Sequence, residues 1–205
     1  MRFPCISEVQ AYWEALREGR QIPCRSEVDP RGIERALEYT FVLERIAPGV
    51  ARFRLAGMHL NDLMGMEVRG MPLTALFTPK SRTEVSSTLD QVFSAPATAE
   101  MTLLAETGLG RPSMEARLII LPLKSDLGDV SRALGCLVAE GTLGRVPRRF
   151  EIGTRTVRPI PPGLPSRRSG TVTTPGFAEP MIPFRHSAPE AGRGRSHLRL
   201  VVSDE

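Results

Sequence analysis

The sequence predicts an α+β fold: a five-stranded antiparallel sheet with helices on one face, preceded by N-terminal helices. Three observations carry this expectation. Apolar residues recur at helical spacing near the start of the chain and again around Leu89. Between and after these stretches lie two β-rich runs and then three more. The runs within each group are joined by short Gly-, Pro- and Asp-containing loops, which turn a chain back antiparallel to itself.

Taken in order, Ser7 stands three residues before Gln10 in the capping-box pattern, ahead of an apolar stripe of Val9, Tyr12, Trp13 and Leu16. The spacing predicts a helix over 8–18, closed by Gly19 in the left-handed conformation. Asp29 and Pro30 then open a second helix, with Ile33, Ala36 and Leu37 on one face. Strands are expected at 40–46 and 50–56, split by Ala47-Pro48-Gly49, and the second alternates Arg52 and Arg54 with Ala51, Phe53 and Leu55. Residues 58–80 carry Gly65, Gly70, Pro72 and Pro79 among short apolar clusters and read as short helical turns. A longer helix over 80–93 presents Val85, Leu89, Val92 and Phe93, and Pro96 ends it. Three strands follow at 99–105, 114–123 and 131–140. Residues 1–39 are thus an N-terminal helical extension packing on a domain spanning 40–152. Beyond it, eight Pro among residues 153–205 and little apolar periodicity predict a disordered Pro/Arg-rich tail. Only His197 to Val202 alternates enough for a short strand or docking peptide.

Composition sets the broad class. In 205 residues, 41% apolar content can build a core, while 24% charged content argues against both a membrane protein and a wholly disordered one. No window approaches the roughly 18 apolar residues of a membrane helix. The start MRFPCISEVQ lacks a signal-peptide pattern, so a cytoplasmic location is expected. Cys5, Cys24 and Cys136 form no C-x-x-C pair, which leaves reduced thiols and no zinc site. Of the formal charge of +4, most falls from Glu151 onward, where eight Arg face five acids. A nearly neutral folded part argues against nucleic acid as the partner. A nucleic-acid-associated regulator using the Arg-rich tail is the alternative reading.

Specific residues also agree with a known family. Arg52-Phe53-Arg54-Leu55-Ala56-Gly57 is placed like a first PAS strand, Asn61-Asp62-Leu63-Met64-Gly65 resembles its short helix, and Leu73 to Arg82 looks like the entry to its long F helix. With Tyr12-Trp13, Gly70, Leu121-Pro122-Leu123, Arg132-Ala133-Leu134-Gly135 and Pro147-Arg148-Arg149-Phe150, residues 3–152 resemble a family of short alphaproteobacterial PAS-domain proteins. The resemblance implies a PAS-like sheet and a sensory or regulatory module; we expect such a module to act in trans through small-molecule or protein binding. Residues 80–93 hold neither the reactive Cys of light-sensing relatives nor the His by which haem-binding ones often ligate iron. No cofactor is assigned.

Two groups of residues follow as candidates. A small apolar ligand would sit between the F helix, offering Val85, Leu89 and Phe93, and the sheet, offering Phe53, Leu55 and Cys136; the same space filled by its own side chains is the plainer reading. Val9, Tyr12, Trp13 and Leu16 are candidates for docking an unknown protein partner or for self-association as a dimer, or else they cap the domain's own sheet. His59 has no second His in the folded part to build a triad or metal site, so no catalytic or metal-ligating residue is named and no enzyme is expected.

Overall fold

A computed structural model gives the fold of residues 3–161. Helix α1 (Pro4–Arg17) is followed by two 3-10 segments, Arg25–Glu27 and Pro30–Tyr39. Strands β1 (Thr40–Ala47) and β2 (Val50–Ala56) come next. The chain then crosses over through α2 (Met58–Met64), the 3-10 turn Leu73–Leu76 and α3 (Pro79–Ser94). It returns in β3 (Ala97–Ala105), β4 (Glu115–Leu123), β5 (Arg132–Glu140) and β6 (Phe150–Pro159). The sheet has six strands in the order β2-β1-β5-β4-β3-β6, every neighbouring pair antiparallel.

Most elements form for the reasons read in the sequence. Asp29 accepts from the Arg31 amide at 2.9 Å, and Pro30 fills the first turn, where its missing donor costs nothing. That segment is 3-10 throughout and breaks its geometry at Ile33. Its neighbour Gly32 lies under Tyr12, where a Cβ would come within 2.3 Å of the ring. Helix α1 starts four residues earlier than the Ser7 signal suggests, because Pro4 occupies its first turn and no side chain caps it. Its left-handed ending falls on Glu18 as well as Gly19.

Three expectations are corrected. The sheet has a sixth strand, so five was one too few. The boundary set at residue 153 cuts through β6, which pairs with β3 from Phe150 to Pro159. On this edge strand only Ile152 and Val157 of EIGTRTVRP are partly buried against the inner core, so the stretch lacks the apolar alternation that marks a half-buried strand. The remaining tail, including His197 to Val202, lies outside the described residues. Finally, helices cover both faces. One core lies between the sheet and α2, Leu73–Leu76 and α3, gathering Phe41, Leu43, Phe53, Met101, Leu118 and Leu137 from the strands. A second lies on the opposite, outer face, where α1 and the 24–39 segment meet Val42, Ile119, Leu121, Leu134 and Cys136. Strands β4 and β5 are buried on both sides, and such strands need cover on both.

Candidate functional site

Most of the inner face is closed. Phe53, Val85, Leu89 and Phe93 do meet between sheet and α3, each no more than 4% exposed, within one apolar cluster. Leu55 and Cys136 do not join them. The β1–β2 register slips between Val42 and Leu43, so that Val42 faces Leu55 while Leu43 faces Phe53. Arg54 is the extra residue of this bulge, and the bulge turns Leu55 to the outer face, where it is 53% exposed. Cys136 shares its side of β5 with Leu134 and Val138, and that side is the outer one. Burial pushes its thiol up to about 12, so it is an inert core group.

The α1 stripe is also used within the chain. Val9 and Trp13 are buried in the outer core, and the Trp13 indole N–H donates to the Pro122 carbonyl at 2.9 Å. Tyr12 packs beside them, its hydroxyl accepting from the Asp29 amide at 2.7 Å. Leu16 is half-buried on the same helix. Val9, Tyr12 and Trp13 therefore belong to the layer that caps the sheet, the second of the two readings of the stripe, while Leu16 lies outside that cluster. The opposed motifs Tyr12-Trp13 and Leu121-Pro122-Leu123 are two sides of one contact.

What the outer face leaves open differs at its two ends. Toward β3 and β6 the uncovered side chains are Thr98, Glu100, Thr102, Thr154, Thr156 and Arg158, with Leu104 the apolar exception. Thr102 and Thr154 hydroxyls bond at 2.7 Å across the strands. A cleft of about 450 Å³ here has mixed walls, Thr102, Thr154 and Glu115 beside Phe3, Leu103 and Leu104, and its Arg117 lies over the Phe3 ring at 5.7 Å while pairing with Glu100 at 3.4 Å. Toward β1 and β2 the uncovered surface includes an apolar patch. Val28, Pro30, Ile33 and Leu37 wall a cleft of about 230 Å³ whose floor is Val42, Leu55 and Leu134. Leu37 is 45% exposed beside it. This cleft is the candidate site.

Charge borders it on one side. Two residues along the strands from the Leu55–Val42–Leu134 row stand Arg52, Glu44 and Arg132. Glu44 takes Arg52 at 2.8 Å, Arg54 at 2.9 Å and Arg132 in closer contact still. The Arg132 guanidinium first, then Arg52, holds its carboxyl below the usual carboxylate range. Arg25 also lines the cleft, its backbone fixed by the Lys124 carbonyl at 2.8 Å.

Two further residues hold the fold around the site: His59, read in the sequence as a lone histidine, and Arg148, whose role the sequence did not show. His59 Nε2 accepts from the Ala139 amide at 3.1 Å, where β5 runs past the start of β1, and its ring meets Tyr39 edge-on at 4.8 Å. Burial pulls its pKa down, so the ring stays neutral and usable as an acceptor. Arg148 is fully buried, donating to the carbonyls of Leu143 and Pro112, each at 2.6 Å. Its amide donates to Leu63 O at 2.7 Å, so this one residue joins α2 to the loops on either side of β4–β5. Among the described residues no cluster of His, Cys, Asp and Glu has the makings of a metal site.

Two strands, a helical crossover and an antiparallel return of four strands, closed over one face by α3, define a PAS-type sensory domain. The chain belongs to the PAS domain family, whose profile matches residues 1–138. No curated protein matches it. Among solved structures it is similar to an RNA-binding light-oxygen-voltage receptor (19% identity, TM-score 0.37, covering 53% of this chain). It spans 32% of that receptor chain. It is also similar to the dark-state LOV domain of the blue-light photoreceptor aureochrome 1 (12% identity, TM-score 0.39, 53% of this chain and 80% of that one). A PAS domain from Colwellia psychrerythraea is a further match (14% identity, TM-score 0.37, 54% of this chain and 95% of that one). Likeness at this level carries no argument about ligands or partners. No helix of the described residues is long and apolar enough to cross a membrane.

Proposed function

We propose that this PAS domain is a non-catalytic sensory or regulatory module of the short alphaproteobacterial kind, acting in trans in the cytoplasm by binding a protein partner in the Val42–Leu55 cleft. One observation carries the reading. Along the β3–β6 end the uncovered outer face is polar except at Leu104, whereas at the β1–β2 end Leu37 and Leu55, both about half exposed, adjoin an apolar floor of Val42 and Leu134. Exposed apolar surface beside a small concave anchor site is the usual makeup of a protein-docking patch. Small-molecule binding between α3 and the sheet is the lesser reading, because the four residues that meet there are already packed against one another.

A photo-crosslinking side chain placed at Leu55, and as a control at Leu127, which is 94% exposed on the turn between β4 and β5, tests this in cells that make the protein. The expected result is a covalent adduct with one protein from position 55, absent from position 127 and lost when Leu37→Asp is added. No adduct at 55, or equal adducts at both positions, overturns the reading. A bound small molecule in the native mass of the purified full chain, displaced by Leu89→Trp, would favour the inner face instead.

A further inference from the structure

We infer that the cleft takes an acidic peptide segment of another protein, one that places a large apolar anchor side chain close to a carboxylate. The inference rests on the reading that this cleft is the binding face, and it adds the chemistry of the occupant.

The floor and the charged row belong to the same side of the same strands. Val42 and Glu44 are successive outward residues of β1, and Leu134 and Arg132 are their neighbours on β5. At about 3.3 Å per residue the two rows stand roughly 7 Å apart. Three guanidiniums pair with Glu44 there, and the Asp129 carboxylate acts on Arg132 at longer range, so the cluster still carries an excess of one positive charge. Glu44 is 15% exposed, whereas Arg52 is 40% and Arg54 50% exposed. What solvent meets is therefore guanidinium, and each guanidinium has five donors, more than Glu44 can take up. Arg25 adds a further cation at the cleft itself.

An occupant that satisfies both rows needs an apolar group for the floor and an anion one to two residues away in extended form. The cleft's volume of about 230 Å³ suits one or two large side chains. It falls below the roughly 300 Å³ at which small-molecule pockets begin, and its walls are half exposed, which favours a peptide over a free amphiphile. Arg donors around a desolvated anchor give such a contact its selectivity for acids.

The test is selection of a displayed random-peptide library on the full-length chain, counter-selected on Leu55→Arg, with dodecanoate as the small-amphiphile probe. The expected result is enrichment of peptides carrying Leu, Phe or Trp within two residues of Asp or Glu. A resynthesised winner should bind the double variant Arg52→Gln/Arg54→Gln about tenfold more weakly, and binding should weaken further as salt rises. That variant leaves Glu44 paired with Arg132, and an unchanged melting temperature shows that it folds. Winners that lack acids, or binding indifferent to the double variant, overturn the acidic-peptide inference while leaving the cleft as the docking face. Winners unaffected by Leu55→Arg overturn the cleft itself. Failure to enrich any peptide, or dodecanoate bound in a Leu55→Arg-sensitive manner without peptide binding, also overturns the inference.

Discussion

The two faces of the sheet are built to different ends. The inner face meets α2, the Leu73–Leu76 turn and α3 in a core whose strand residues, from Phe41 to Leu137, are almost wholly buried. The outer face is covered by α1 and the 24–39 segment over β4, β5 and part of β1, and lies open at both ends. A sheet covered on one side has a single inside, and its partner surfaces lie wherever its helices are not. With a second layer added, only the margin of that layer is left for contact. Here the apolar margin runs along Leu37 and Leu55. The N-terminal helix thus works as core, and by stopping short of β2 it leaves the Val42–Leu55 cleft uncovered.

The strongest way to break this comparison is to remove the outer layer's anchor. Trp13→Ala deletes a buried indole and leaves the Pro122 carbonyl without its donor, so about 3–5 kcal/mol of stability should be lost. The mass of the folded protein by light scattering should not change. If the melting temperature held and the mass halved, Trp13 would be an interface residue and the outer core a misreading.

A smaller effect sharpens the contrast between faces. Leu89→Trp overfills the inner core and should cost about 1–3 kcal/mol in chemical denaturation. Leu55→Trp, on the open margin, should stay within about 0.5 kcal/mol of the parent. Equal costs at the two positions would mean that the margin is as filled as the core.

How much of this was legible in the sequence depends on where a residue's signal comes from. The β1–β2 hairpin reads directly, because Pro48 and Gly49 make a turn that local chemistry alone dictates, Gly49 at φ 68°. Strand faces are harder. Alternation placed Phe53 and Leu55 on one side, and the bulge at Arg54 put them on opposite sides, with nothing in ARFRLAG to announce the extra residue. For Cys136 the alternation was right and the face was not, since a strand buried on both sides reads the same from either. Gly135 is the residue that distinguishes them: a Cβ there would lie 2.2 Å from the Phe41 ring, so the inner face of β5 is the side with no side chain at that point. Arg148 gave no signal because a buried guanidinium looks like any other Arg in an Arg-rich stretch. The candidate site was the least legible part, as it is made of residues from four separate segments that only the tertiary fold brings together.

A smaller effect than that of Leu89→Trp is expected at the junction of α2 with β5. His59 accepts the Ala139 amide only while Nε2 is unprotonated, and burial holds its pKa below the ordinary value of 6.5, against the opposing pull of Glu38 and Asp62. A lowered pKa means that the unfolded chain takes up the proton first. Stability is therefore complete above about pH 6.5 and declines as pH falls below it, until the folded-state ring is itself protonated. Glu27 and Glu44 are held below their ordinary 4.5, so their contributions are lost at lower pH and do not enter this window. Melting temperatures of the parent protein between pH 7 and 5 should fall by an amount matching one hydrogen bond, about 0.5–1.5 kcal/mol. His59→Gln supplies an acceptor that does not titrate, so its profile should be flat over the same range. Subtracting the two profiles removes any contribution from His186 and His197, which both proteins share. A parent profile as flat as that of the variant would show that the Ala139 contact does not depend on the charge of the ring.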